Sequence, residues 1–184
     1  MSDLPEAAVL AAIADDLDAG FAELVRANQR IVYSVALRVG GADAEDLAAE
    51  CFLRAYRALR GFDRSRILAL RPRSWLLTIL LNTWRNQVRT ASRRPAMALA
   101  ELPERAVPGP SVEEVVTSAE TQRELGGLVA RLPEGQRVAV VLRHVVGLPV
   151  AEIAAVMQVP EGTVKSHVSR GLARLREQYA KEVV

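Results

Sequence analysis

At 184 residues the chain can bury one core of ordinary size or two small ones. One cysteine and two histidines exclude a zinc cage or a disulfide framework, so no metal and no cofactor are expected. The formal net charge of +2 conceals a segregation: ten acids and three bases in residues 1–50, one and eleven in 51–95, seven and three in 96–135, and four and seven in 136–184. Two basic blocks separated by acidic ones suit a protein that lays two surfaces on a polyanion, with salt-sensitive binding. Aromatics are only 4% and β-branched runs are short, so the chain is expected to be all-α. No signal peptide opens it, and its longest apolar run, Trp75 to Leu81, is far short of a span. A cytoplasmic protein without membrane insertion is expected.

In chain order, residues 6–19 read as a short apolar helix with Asp15, Asp16 and Asp18 near its end, broken by Gly20. Phe21, Leu24, Val25, Ile31, Val32, Val35 and Leu37 then keep roughly helical spacing up to Val39, and Gly40-Gly41 ends that helix. Residues 43–60, DAEDLAAECFLRAYRALR, form the next, with Asp43 as expected N-cap and Glu45 and Asp46 at the positive end of the dipole. Its buried stripe is Leu47, Cys51, Phe52, Ala55, Tyr56 and Leu59, on which Cys51 reads as a small core hydrophobe rather than a redox sensor. The outer face carries Asp46, Glu50, Arg54 and Arg57 at spacings that allow ion pairs on a solvated face, worth roughly a few tenths of a kcal/mol each.

Residues 61–71 read as a loop, and Pro72 suits the first turn of a helix running to about residue 91. One face of that helix holds Leu77, Leu80, Leu81, Trp84 and Val88. The other holds Asn82, Arg85, Asn86 and Arg89, extended by Arg93 and Arg94. Amides and guanidinium groups without a carboxylate are the chemistry that contacts phosphates and base edges. Trp75 and Trp84 do not share a face well; at least one belongs in the core, and Trp75 is alternatively a platform for an unpaired base.

From Pro95 the sequence PAMALAELPERAVPGPSV reads as a semi-stiff, Pro-rich linker. The expected organisation is two small helical domains, residues 1–94 and 115–184, joined by residues 95–114. A helix from Val115 to Leu132 is broken by Pro133, and Glu134 to Val146 forms another with Val138, Val141, Leu142 and Val145 inward. The chain then reaches VAEIAAVMQVPEGTVKSHVSRGLARLR, residues 150–176. Ile153, Ala154 and Met157 space one apolar stripe, Val159 and Pro160 mark a turn, and Val164, Val168, Leu172 and Leu175 carry a second stripe. Outside lie Lys165, Ser166, Ser169, Arg170, Arg174 and Arg176, with no acid among them. That is the pattern of a helix-turn-helix whose second helix enters a DNA major groove.

DAEDLAAECFLRAYRAL at 43–59, SWLLTILLNTWRNQVR at 74–89 and LPEGQRVAVVLRHVVGLPVAEIAAVMQVPEGTVKSHVSRGLARLRE at 132–177, in this order, resemble the extracytoplasmic-function (ECF) sigma factors of the sigma-70 family. The resemblance implies a region 2 domain, the linker, and a region 4 domain with the helix-turn-helix. It implies binding to core RNA polymerase, through the β′ clamp helices and the β flap, with Asp46, Glu50, Arg54 and Arg57 as core contacts. It implies that a flipped base of the −10 element is held near residues 61–71, where Phe62, Ile67 and Leu68 line a pocket, the protein offsetting an unstacking cost of about a few kcal/mol. Trp75, Asn82, Arg85, Asn86 and Arg89 then complete the −10 surface. Lys165, Ser166, Ser169 and Arg170 match the −35 readers, while Arg174 and Arg176 hold phosphates.

Two positions depart from the family pattern: Leu81 and Asn86 stand where many relatives have Arg and Asp, so no particular −10 sequence carries over. Promoter DNA and an anti-sigma factor are the further partners implied. TVKSHVSRGLARL also resembles the output domain of response regulators, which would make the chain a duplex-binding activator; such a protein carries an α/β domain upstream, and residues 1–95 show no such alternation. An enzyme is not expected, because His144 and His167 have no nucleophile, metal or Gly-rich phosphate loop around them.

Overall fold

The computed structural model describes residues 5–92 and 125–182, and every regular element among them is helical. The first half contains α1 (Glu6–Asp15), α2 (Leu17–Gly40), α3 (Ala44–Leu59), α4 (Arg64–Leu68) and α5 (Pro72–Ser92). The second contains α6 (residues 125–130), α7 (Glu134–His144), α8 (Val150–Met157) and α9 (Glu161–Glu182). The linker expected at 95–114, the first part of the helix expected from Val115, and Arg93 and Arg94 lie outside the described residues.

Several boundaries differ from expectation, each for a local reason. The break between α1 and α2 falls at Asp16, not at Gly20: Asp16 is extended, and its carboxylate accepts from the backbone N–H groups of Asp18 and Ala19, capping α2. Gly20 lies inside α2, where a Cβ would collide with the backbone of Ile13 in α1; its role is close approach rather than breaking. Asp43 precedes α3 but its side chain makes no cap bond, because a 3-10 turn over Gly41–Asp43 leads into the helix. The segment expected as a loop contains α4, whose N-cap Asp63 accepts from the N–H of Arg66.

The core of the first half is Leu24, Leu47, Leu59, Leu76, Leu77, Leu80 and Leu81, all fully buried; burying each such side chain favours folding by about 1.5–3 kcal/mol. Trp84 and Cys51 join it. Leu37 and Val88, expected to face inward, are 48% and 47% exposed; Leu37 lies off the buried face that Val32, Val35, Ala36 and Val39 form on the same helix. In the second half Val138, Val141, Leu142, Ile153, Met157 and Val164 are buried as expected, but Val145 is not: it follows the last turn of α7 and is exposed. Gly171 lets α9 approach α7, a Cβ there meeting Val140 and Gln136.

The two halves are packed together. α5 lies against α8 and α2 against α7, and one apolar cluster continues from Val9 to Val164.

Candidate nucleic-acid interface

α8, a turn and α9 form the helix-turn-helix. The turn depends on Gln158, which adopts a left-handed conformation (φ 59°, ψ 44°) and ends α8, with Val159 and Pro160 leading to α9. Ile153, Val156, Met157 and Val164 pack inside the pair. Lys165, Ser166, Ser169, Arg170, Arg174 and Arg176 are all exposed on α9, so one cationic, hydroxyl-bearing face is presented to solvent. Ser166 donates back to the carbonyl of Gly162 at 2.9 Å, which leaves its oxygen available as an acceptor. His167 turns away from this face: its ring sits where a Cβ on Gly135 of α7 would have to be, so it packs between α7 and α9.

A second candidate surface runs along α4 and α5. Phe62 and Trp75 are half-buried partners with ring centroids 5.9 Å apart, and the Arg66 guanidinium lies 3.7 Å from the Phe62 centroid. The two rings are tilted by 53° and the guanidinium covers the Phe62 face, so the group is a cation–aromatic cluster that offers a base the exposed guanidinium and ring edges. Leu68 is 45% exposed beside it, whereas Ile67 is 6% exposed and belongs to the core. Ile67 therefore holds α4 in place and does not line an open pocket. α1 braces the same element from behind, because Arg64 donates to the Asp15 carboxylate at 2.5 Å and to the carbonyl of Ala14 at 3.2 Å.

Farther along α5, Asn82, Asn86 and Arg89 are exposed and Arg85 is half-buried. Asn86 accepts from Arg89 at 2.7 Å, which fixes one edge of the polar face. Trp84 is core, 7% exposed.

On α3, Glu50 accepts from Arg54 at 2.6 Å, the intrahelical pair the spacing allows. Asp46 and Arg57 are exposed on the same side. Leu53, missed by sequence reading, stands among them with 43% exposure. Its spacing of three from Glu50 and four from Arg57 was the available signal.

Cys51 is fully buried, its thiol 3.4 Å from the carbonyl of Leu76. Burial pushes the thiol from its ordinary 9.0 up to about 12, which disfavours the thiolate a redox sensor needs. Among the described residues no group of three or more His, Cys, Asp and Glu side chains is placed to hold a metal ion, and no helix is long and apolar enough to cross a membrane.

Comparison with known proteins matches residues 24–94 to sigma-70 region 2 and residues 122–175 to sigma-70 region 4. The ECF RNA polymerase sigma factor SigW of Bacillus subtilis is 30% identical over 173 residues, covering 89% of this chain and 90% of that protein. The ECF RNA polymerase sigma-E factor of Escherichia coli is 31% identical over 155 residues, covering 80% and 79%. The ECF RNA polymerase sigma factor SigE of Mycolicibacterium smegmatis is 35% identical over 163 residues, or 86% of this chain; the match spans only 61% of that longer relative. Two solved structures share the fold: CnrH in complex with the cytosolic domain of CnrY (TM-score 0.68, 24% identity, 96% and 97% of the two chains) and the Bartonella quintana sigma factor RpoE in complex with the anti-sigma factor NepR (TM-score 0.65, 23% identity, 85% and 94%).

Proposed function

The chain belongs to the extracytoplasmic-function class of the sigma-70 family, whose members are transcription-initiation factors rather than enzymes, and from that premise we propose how its surfaces divide the work. Residues 1–94 form the domain that binds core polymerase and opens the −10 element; residues 115–184 form the domain that reads the −35 duplex; residues 95–114 link them. The protein works in the cytoplasm, where core polymerase and promoter DNA are found.

The observation that carries this reading is the order of the two matches along one chain, region 2 before region 4, each falling on helices that present the required chemistry. In the second domain α9 inserts into the major groove. Lys165, Ser166, Ser169 and Arg170 reach base edges, and Arg174 and Arg176 hold the backbone. In the first domain the cluster of Phe62, Arg66 and Trp75, with Leu68 at its rim, receives an unstacked base. Asn82, Arg85, Asn86 and Arg89 track the strand beyond it. Asp46, Glu50, Arg54 and Arg57, with Leu53 among them, dock on the β′ clamp helices, and α9 approaches the β flap. The RpoE structure, solved with an anti-sigma factor, supports a partner of that kind here. The duplex-activator alternative lacks support, because the half that would hold a receiver domain matches region 2.

Permanganate footprinting tests the reading. Core polymerase with this protein should make thymines near −10 reactive at a cognate promoter, and neither component alone should do so. Protection of duplex without any strand opening would favour the activator.

A further inference from the structure

The region 2 match begins at residue 24, yet α1, which precedes it, is built into the element that carries Arg66 and follows Phe62. α4 has five residues, far below the roughly 12–15 at which a helix begins to hold its own shape in water. Its pose is therefore set by what it packs on. Asp63 caps its start, and Ile67, 6% exposed, joins Val9, Leu10 and Ile13 of α1 in one buried cluster. At the exposed edge of this α1–α4 contact, Nη1 of Arg64 donates to the Asp15 carboxylate at 2.5 Å and to the carbonyl of Ala14 at 3.2 Å. Both acceptors lie in the last turn of α1, so one guanidinium ties the end of α1 to the start of α4.

The turn after α1 holds the other side of the connection. Asp18 accepts from the Tyr56 hydroxyl at 2.6 Å, and the Tyr56 ring meets Phe21 edge-on with centroids 5.1 Å apart. Tyr56 lies in the last turn of α3. Asp15 and Asp18 thus grip the two helices that flank residues 60–63, the link that contains Phe62. Both grips need α1 folded back on α2, which the extended backbone of Asp16 and the missing Cβ of Gly20 permit.

We propose that Asp15 is a positioning residue for promoter opening: through Arg64 it fixes α4, so that Phe62 and Arg66 meet the unstacked base in a conformation ordered before DNA arrives. An element fixed on folding adds no ordering cost to binding. The proposal rests on reading α4 and α5 as the −10 surface, and it gives α1 a part in opening although neither matched region includes it.

The test uses the full chain assembled with core polymerase on a promoter fragment recovered by run-off transcription. Permanganate reactivity of the −10 thymines reports opening, while binding to −35 duplex and to core polymerase reports the other surfaces. Asp15→Ala and Arg64→Ala should each lower opening about threefold, the scale of one exposed ion pair. Together they should lower it about threefold again, not the roughly ninefold of independent sites. Removing an acid beside DNA would by charge alone strengthen binding, so a loss on Asp15→Ala reads the positioning. Asp15→Glu should recover most of it. Duplex and core binding should stay within about twofold, and amide hydrogen exchange over residues 64–68 should quicken in both single variants before DNA is added. A loss on Arg64→Ala with Asp15→Ala silent would make Arg64 a phosphate ligand and overturn the proposal. Equal losses of opening, duplex binding and core binding would mean less folded protein and overturn it too. If neither Phe62→Ala nor Arg66→Ala impairs opening, the −10 reading itself fails; if both impair it while Asp15→Ala does not, the positioning role alone fails.

Discussion

Ser74 and Glu152 stand 78 positions apart and share a hydrogen bond of 2.5 Å. That bond and the Arg71 ion pair on the same carboxylate fix the N-terminal turn of α8 against the N-terminal turn of α5. Ser74→Ala removes the donor and leaves the half-buried Glu152 with Arg71 alone. The expected cost is about 1 kcal/mol, the usual net value of such a bond, seen as an earlier denaturant midpoint. An unchanged midpoint would mean that water replaces the hydroxyl without loss.

Arg170 lies on the exposed face of α9. If it grips a guanine edge with two donors, Arg170→Ala should weaken −35 duplex binding by about 1–3 kcal/mol and relax preference at one base pair. Arg174→Ala should instead weaken all sequences alike and reduce the salt dependence by about one phosphate contact. Competition binding against single-base variants of the site separates the two; an Arg170→Ala protein with intact preference would move Arg170 to the backbone group.

Reversing Asp46 and Glu50 to lysine places cations where the α3 surface now has anions, and leaves Arg54 without its partner at 2.6 Å. Binding to core polymerase should fall at least tenfold, since like-charge contacts across an interface cost several kcal/mol (of order 1.4 per tenfold). The far-ultraviolet circular dichroism should be unchanged, because both sites face solvent. Normal polymerase binding would remove these residues from the interface.

Cys51 gives a prediction in pH. Its thiol is held protonated in the folded chain up to about 12, against 9.0 ordinarily. A raised pKa contributes stability that is complete below pH 9 and is lost as pH rises through the folded value, because the unfolded chain releases its proton first. The unfolding free energy of the wild type should therefore fall more steeply between pH 9 and 12 than that of Cys51→Ala. Parallel curves would show the thiol to be accessible in the native state.

The polar faces of α9 and α5 were legible in the sequence because each is written locally. Lys165, Ser166, Ser169 and Arg170 fall within two turns of α9, and Asn82, Arg85, Asn86 and Arg89 within two turns of α5, so spacing alone collects them. The same holds for the stripes that became the core. What escaped had little local signature. Five residues of α4 are too few to show a period, and only Asp63 signalled its start. Gly20 looked like a breaker because its purpose, contact with Ile13, depends on how α1 folds back. Gln158 carries none of the glycine or asparagine preference usual for a left-handed cap. Ile67 read as a pocket residue because its burial is decided by tertiary packing. The bonds of Glu152 to Arg71 and Ser74 join distant parts of the chain, and no window of sequence contains both sides.

Run-off transcription with purified protein, sigma-free core polymerase and a library of genomic fragments decides whether the protein acts as a promoter-specificity subunit of RNA polymerase. Transcripts that depend on the protein and start downstream of a shared pair of −35 and −10 elements are the predicted result. Absence of any dependent start, with core polymerase shown to be active by another sigma factor, would contradict it.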